Sequence, residues 1–324
     1  MRVLITGTAG FVGSHVLETV LQKTDWDVVC IDSLKAWHNG NVRSTMQAMS
    51  DLRQAGRGVS HMTHDLSVPF RNQQFDFIGD IDYIVNIASM SQVEASIKDP
   101  VGFISNNVQL MLNMLELARE TGPRRFIHMS TDEVYGRTSP CAPADHQPSS
   151  PYAASKASQE DICHSYRRTF RIPVAIVNSA NMFGQRQSEL AFIPKVVRWI
   201  SEGTRIPVHY YADFPGGRHY TYVKNVTEHI IGLLREDAEH TSKLFQFPER
   251  IVLQGQEYVD NMSLVNRIGD MMGKAPYAIK QRGEDARPGW DPKYAELIPN
   301  QDWSPTHSFD EGLEQTVKWL VEQL

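Results

Sequence analysis

The chain has 324 residues, 41% of them hydrophobic and 22% charged, the balance of a folded globular protein and not of a disordered or fibrous one. Its 32 basic and 38 acidic residues leave a formal net charge of −6, which offers no general electrostatic reason to bind nucleic acid. No apolar run approaches the roughly 18 residues that a membrane span needs, and Cys30, Cys141 and Cys163 are too scattered for a disulfide framework or a zinc site.

Met1 runs straight into Arg2–Thr6, a strand-like segment that leaves no room for a secretory signal, so a cytoplasmic location is expected. Phe11–Lys23 then reads as a helix. Asp27–Asp32, Tyr83–Ile87, Phe126–Ser130 and Val174–Asn178 are apolar enough to be buried parallel strands. Helices are expected over Val108–Glu120, with Leu110, Leu112, Leu115 and Leu117, and over Tyr152–Phe170. This alternation predicts an α/β fold, a doubly wound parallel Rossmann-type sheet with right-handed crossovers.

After Asn178 the rhythm breaks. A nucleotide-binding domain is expected over 1–178, with 223–250 returning to it. A smaller C-terminal α/β substrate lobe is expected from 179–222 and 251–324, where Pro276, Pro288, Pro292, Pro299 and Pro305 fall. The polar stretch Lys35–Arg57 is long for a strand-to-helix connection and has no assigned role.

The first strand ends in Gly7-Thr8-Ala9-Gly10-Phe11-Val12-Gly13. Glycines there permit a tight turn and close backbone approach to a pyrophosphate, while the helix N-terminus supplies free N–H groups. Asp32 stands 19 residues after Gly13, where a carboxylate can bond ribose hydroxyls and would repel a 2′-phosphate. Gly7, Gly10, Phe11, Val12, Gly13 and Asp32 are therefore expected to hold NAD. Asp65 is equally consistent with flanking the adenine and with solvated surface. His61 and His64 lack metal-ligand spacing, and no metal is expected.

Tyr152 and Lys156 stand at i and i+4 on one helix face. An adjacent ammonium stabilises a phenolate and makes tyrosine a usable base near neutral pH. Tyr220 and Lys224 repeat the spacing, but alternation around Tyr220 and Tyr222 is strand-like, so that pair is read as coincidence. Thr131-Asp132-Glu133 follow a buried strand, at the ligand edge of such a sheet. Two adjacent carboxyls suit a reaction that removes a carbon-bound proton and protonates a leaving hydroxyl, since repulsion splits their pKa values. A solvated acidic loop is the plainer alternative.

Together, Gly7–Gly13, Ser130-Thr131-Asp132-Glu133-Val134-Tyr135-Gly136 and Pro148–Lys156 resemble the extended short-chain dehydrogenases/reductases, and among them the nucleotide-sugar 4,6-dehydratases. The resemblance implies that Tyr152 takes the proton of the sugar 4-hydroxyl as hydride leaves C4, with Lys156 lowering the Tyr152 pKa and Thr131 bonding the same hydroxyl. It implies further that Glu133 removes the C5 proton and Asp132 protonates the departing C6 hydroxyl. Ser33, Leu34, Asp65, Leu66, Ala88 and Ser89 are expected around the cofactor. Ser91, Asn181, Arg218 and Asn261 are expected around a nucleotide-diphosphate sugar. A homodimer through the helices near 108–120 and 152–170 is also implied, and Leu110, Met111, Met114 and Leu117 fit either that contact or burial under the sheet.

The pattern departs from that of the dTDP-glucose enzymes at Met90, Gln92, Ala191, Trp290, Pro292 and Lys293, all expected pocket positions, so the sugar and base stay open. The competing readings are a nucleotide-sugar 4-epimerase, a UDP-glucuronate-type decarboxylase, and a catalytically silent NAD(H)-binding regulator. Asp132 opposes the first two, since neither reaction eliminates water. The silent reading has no chemical need for all of Thr131, Asp132, Glu133, Tyr152 and Lys156.

Overall fold

The computed structural model describes residues 1–35, 41–136, 146–211, 214–239, 247–282 and 303–324. Cys141 and the segment 287–294, with its Trp290, Pro292 and Lys293, lie outside the described residues.

The elements run β1 (Arg2–Thr6), α1 (Phe11–Lys23), β2 (Asp27–Asp32), α2 (Asn41–Gln54), β3 (Val59–Thr63), α3 (Asn72–Ile78), β4 (Tyr83–Asn86), α4 (Val93–Lys98), α5 (Pro100–Thr121) and β5 (Arg125–Thr131). A 3₁₀ turn, Asp132–Tyr135, leads on to α6 (Pro151–Phe170) and β6 (Val174–Ser179). There follow β7 (Met182–Phe183), α7 (Phe192–Glu202), β8 (Ile206–Tyr211), β9 (Phe214–Pro215), β10 (Gly217–His219) and β11 (Thr221–Tyr222). The last elements are α8 (Val223–Glu239), β12 (Arg250–Leu253), β13 (Tyr258–Asp260), α9 (Asn261–Met272), β14 (Ala278–Arg282) and α10 (Phe309–Glu322).

Seven strands form one sheet in the order β12-β6-β5-β4-β1-β2-β3, every pair parallel. Burial on both faces explains why the five inner strands, β6-β5-β4-β1-β2, read as continuous apolar runs. One face packs Val16, Leu17 and Val20 of α1, Met49 and Leu52 of α2, and Val226, Ile230 and Leu234 of α8. The other packs Leu110, Met111, Met114 and Leu117 of α5 with Cys163 of α6. Those four α5 side chains are thus committed to the chain's own core, which removes them as an argument for a dimer contact.

Strand order reverses between β1 and β4, the switch point at which ligands enter such sheets. The second lobe has its own core, with Phe183, Ile193, Val197, Val208, Leu264 and Leu313, built on α7, α9, α10 and short β-pairs. Two sequence expectations change. The stretch after β2 holds α2, which sets Thr45, Met49 and Leu52 inward. Residues 251–253 lie in the main sheet, since β12 pairs with β6.

Candidate active site

The turn after β1 is built by three glycines with separate tasks. Gly7 adopts φ +70°, and a Cβ there would come within 3.0 Å of the Ala88 nitrogen at the end of β4. A Cβ on Gly13 would lie 2.0 Å from the Gly7 carbonyl oxygen, so only glycine lets α1 seat this close to β1. Gly10 caps α1 without a side chain, leaving the N-terminal Phe11 and Val12 at an open, electropositive helix end. Thr6 Oγ1 receives the N–H groups of Ile87 and Ala88 at 3.0 and 3.1 Å, which ties the loops after β1 and β4 together across the switch point.

Asp32, 9% exposed, receives the Ala9 N–H at 2.9 Å and the Leu34 N–H at 2.7 Å. Each carboxylate oxygen keeps a lone pair for a ribose hydroxyl. These features fit a dinucleotide with a free 2′-hydroxyl. Half-buried Ser33 and Leu34 follow Asp32. Asp65 takes the Lys35 ammonium at 2.5 Å and both Ser67 donors, contacts that hold its carboxyl down to about 2. Leu66 is buried and its carbonyl is held by Asn113. A cavity of about 390 Å³ beside Ala9 and Leu34 is walled by Thr45, Met46, Met49, Arg53 and His61, which sets the α2 insertion beside the glycine turn. His64 is occupied by Gln74 and the Val68 carbonyl. Among the described residues no His, Cys, Asp or Glu cluster could hold a metal.

Ser150 caps α6 by accepting the Ala153 N–H at 3.1 Å, with Pro151 in the first turn. That entry sets Tyr152 at the sheet's ligand edge, where its N–H reaches Ser96 and its ring meets Phe103 edge-on. Burial and the neighbouring Glu133 and Asp132 charges push its phenol well above the usual range, partly offset by the nearby Thr131 hydroxyl. Asp132 is 4% exposed. Burial raises its carboxyl to about 6 against the opposing pull of the Thr131 hydroxyl, 3.1 Å away, and the Arg218 charge. Thr131, Asp132, Glu133, Tyr152 and Arg218 therefore share one electrostatic environment.

Lys156 departs from expectation. Its ammonium donates to the Met129 carbonyl at 2.7 Å and to Gln159 Oε1 at 2.6 Å, and it is not among the groups that shift Tyr152. Burial lowers it to about 8, opposed by the Glu160 charge. The i, i+4 spacing shares a face, but the ammonium bonds two acceptors beneath that face and not the phenol. Tyr220 lies between β10 and β11 while Lys224 opens α8, so that second pair spans different elements.

Ser89 is half-buried and Ser91 is exposed. Asn181 holds the Thr221 N–H through its carbonyl. Asn261 opens α9, with its N–H on the Gly216 carbonyl and its side chain near Tyr220. Pairing of β10 with β13 brings Arg218 beside Val259, two positions from Asn261. Ala191 precedes α7 as its N-cap.

A family model described as the NAD dependent epimerase/dehydratase family matches residues 3–246. The chain belongs to that family. It is 29% identical over 357 residues to the dTDP-glucose 4,6-dehydratase of Salmonella typhimurium, covering 99% of this chain and 93% of that protein. The crystal structure of DesIV, a dTDP-glucose 4,6-dehydratase from Streptomyces venezuelae with NAD and TYD bound, superposes with a TM-score of 0.81 at 27% identity, covering 99% of this chain and 97% of that one. The UDP-glucose 4-epimerase of Thermus thermophilus, in complex with NAD, gives 0.81 at 25% identity with both chains wholly covered. The epimerase/dehydratase fold and NAD as its cofactor are thereby established, at the level of a nucleotide-sugar dehydratase or epimerase. No helix among the described residues is long and apolar enough to cross a membrane.

Sequence reasoning missed part of this family member's site. Asn107, wholly buried, clasps the loop after β4 by accepting the Met90 N–H and donating to the Met90 carbonyl, both at 2.9 Å. Gln159 bridges Lys156 to the Asn107 carbonyl. A polar amide recurring among the apolar positions of α5 was the available signal for Asn107, as for Asn113.

Proposed function

We propose that this chain is an NAD-dependent nucleotide-sugar 4,6-dehydratase, converting a nucleoside-diphosphate hexose into its 4-keto-6-deoxy form. The observation that carries the reading is Asp132: a buried carboxyl that keeps its proton up to about 6, next in sequence to half-buried Glu133, both acting on Tyr152. Bound NAD would supply the hydride acceptor for sugar C4 and the hydride donor for C6. Gly7, Gly10, Phe11, Val12, Gly13, Asp32, Ser33, Leu34, Asp65, Leu66, Ala88 and Ser89 would hold it.

In this reading Tyr152 takes the proton of the 4-hydroxyl while Thr131 bonds the same oxygen, and Lys156 turns from Gln159 toward the phenol to stabilise its anion. The new ketone acidifies the C5 proton, which Glu133 removes. Asp132 protonates the C6 hydroxyl, which leaves as water. Ser91, Asn181, Arg218 and Asn261 would hold the sugar diphosphate, the guanidinium of Arg218 suiting paired phosphate oxygens. A homodimer, which rests on the family resemblance, belongs to the same reading, as does a cytoplasmic location.

The test is incubation of purified protein with a panel of nucleotide sugars in D₂O, followed by mass spectrometry. Loss of one water with deuterium at C5 is the expected result and names the substrate. An isomer without water loss would replace the reading with an epimerase, and loss of CO₂ with a decarboxylase.

A further inference from the structure

Behind the acid pair lies a buried ionic cluster that no step above uses. Glu160 is 0% exposed, two turns beyond Tyr152 on α6. Its Oε1 receives Ser130 Oγ at 2.5 Å and Asn178 Nδ2 at 2.7 Å. Its Oε2 takes Arg250 Nη1 at 3.0 Å and His146 Nε2 at 3.2 Å. Burial pushes this carboxyl up, but His146, Arg250, Ser130 and Asn178 outweigh it and hold it ionised. Arg250 comes from the edge strand β12 and also donates to Asn178 Oδ1 at 2.5 Å and to the Tyr135 hydroxyl. Asn178 donates in turn to the Thr131 carbonyl at 3.2 Å.

The segment that carries the two carboxyls is thus held on both sides, through backbone carbonyls and side-chain hydroxyls. Before them, Met129 is held by Lys156, Ser130 by Glu160 and Thr131 by Asn178; after them, Tyr135 is held by Arg250. A buried ion pair is a weak source of net stability, because desolvation offsets the attraction. Fixing one geometry is its better-supported use.

Resting on the dehydratase reading, we infer that Glu160 and Arg250 are positioning residues that lock the Asp132–Glu133 turn against α6, so that elimination follows sugar oxidation at one fixed geometry. Oxidation at C4 depends on Tyr152 with the Thr131 side chain, whereas elimination depends on where the turn sets the Asp132 and Glu133 carboxyls. Arg250 bonds Tyr135 at the end of the turn and Asn178 and Glu160 behind it, and its loss separates the two steps.

The experiment compares wild-type holoenzyme with Arg250→Met and Glu160→Gln at saturating nucleotide sugar, following product mass, deuterium at C5 and the near-ultraviolet absorbance of the reduced cofactor. For Arg250→Met the expectation is a fall in kcat of at least about tenfold, with KM within about twofold, and a several-fold rise in the steady-state fraction of reduced cofactor. Glu160→Gln should show the same direction. Tyr135→Phe, which deletes only the hydroxyl that Arg250 holds, gives the same signature more weakly and covers the case in which a charge variant fails to fold. A loss of kcat without rising reduced cofactor, or no loss in any of the three, overturns the inference while leaving the dehydratase reading intact. A wild-type enzyme that eliminates no water overturns both.

Discussion

The Lys156 ammonium sits 2.7 Å from the Met129 carbonyl oxygen, bonding the strand that ends in the acid pair and not the tyrosine one turn away. Neutralising this residue therefore has two effects. Lys156→Met is expected to lower kcat by at least about a hundredfold, the scale of a lost acid–base partner, and to leave the Met129 and Gln159 acceptors unpaired in a buried site. Because burial lowers Lys156 to about 8, the wild-type rate should also decline above that pH, and a pH–rate profile read beside the variant's checks both.

Asp132 sets a second pH dependence. A carboxyl raised from 3.8 to about 6 by burial stabilises the fold below its ordinary value and loses that contribution as pH climbs through the raised one. Asp132→Asn, which removes the charge and keeps the shape, should gain on the order of 2–3 kcal/mol over wild type at pH 8 and essentially nothing near pH 4. Denaturation at the two pH values measures it. The same variant should lose dehydration, and kcat/KM of the wild type should decline above about 6 as the proton to be donated is lost.

The glycine turn separates packing from binding. A Cβ at Gly13 would sit 2.0 Å from the Gly7 carbonyl oxygen, whereas one at Gly10 would meet the same atom at 3.1 Å. Gly13→Ala is expected to cost more than about 2 kcal/mol by forcing α1 off β1. Gly10→Ala should cost less than about 1 kcal/mol and still weaken NAD binding, since the methyl group stands at the open helix end. Thermal melting with and without added NAD distinguishes the two.

Asn107 fixes the loop that carries Met90 and Ser91. Asn107→Ala removes both bonds to the Met90 peptide and the one to Ser155, for an expected loss of about 1–3 kcal/mol. KM for the nucleotide sugar should rise more than kcat falls, because the loop is placed by Asn107 and not by the reacting groups. Steady-state kinetics on the preferred sugar provide the check.

Much of the sheet was legible because its strands are buried on both faces: β1, α1 and β2 occupy Arg2–Thr6, Phe11–Lys23 and Asp27–Asp32 as expected. The helix expected from Val108 begins instead at Pro100, where Asp99 caps it by accepting the Gly102 N–H. The Pro-Val-Gly start reads as a loop until that cap is recognised. α2 was hidden by its polar residues, although Thr45, Met49 and Leu52 recur at helical spacing and are buried. The glycine turn, Asp32 and the Thr131–Glu133 and Tyr152–Lys156 groups could be singled out because local spacing carries their chemistry. Arg250 could not, since its place against Glu160 exists only once β12 has paired with β6, 72 residues from its Asn178 partner in sequence. Glu160 was within reach: an acid one turn past Lys156 on the same face signals a buried partner.

The path of the chain has a practical consequence. After Ser179 it leaves the large sheet, and it returns through α8 and β12 before leaving again after Leu253. Val226, Ile230, Ile231, Leu233 and Leu234 of α8 are sealed against the first helix and the sheet. A fragment cut at 178 would strip the sheet of its outer strand and open that face to water, losing with it the arginine that grips the acid turn. The nucleotide-binding half is therefore not a detachable module, and exchanging the second lobe between relatives requires three breakpoints in register, not one.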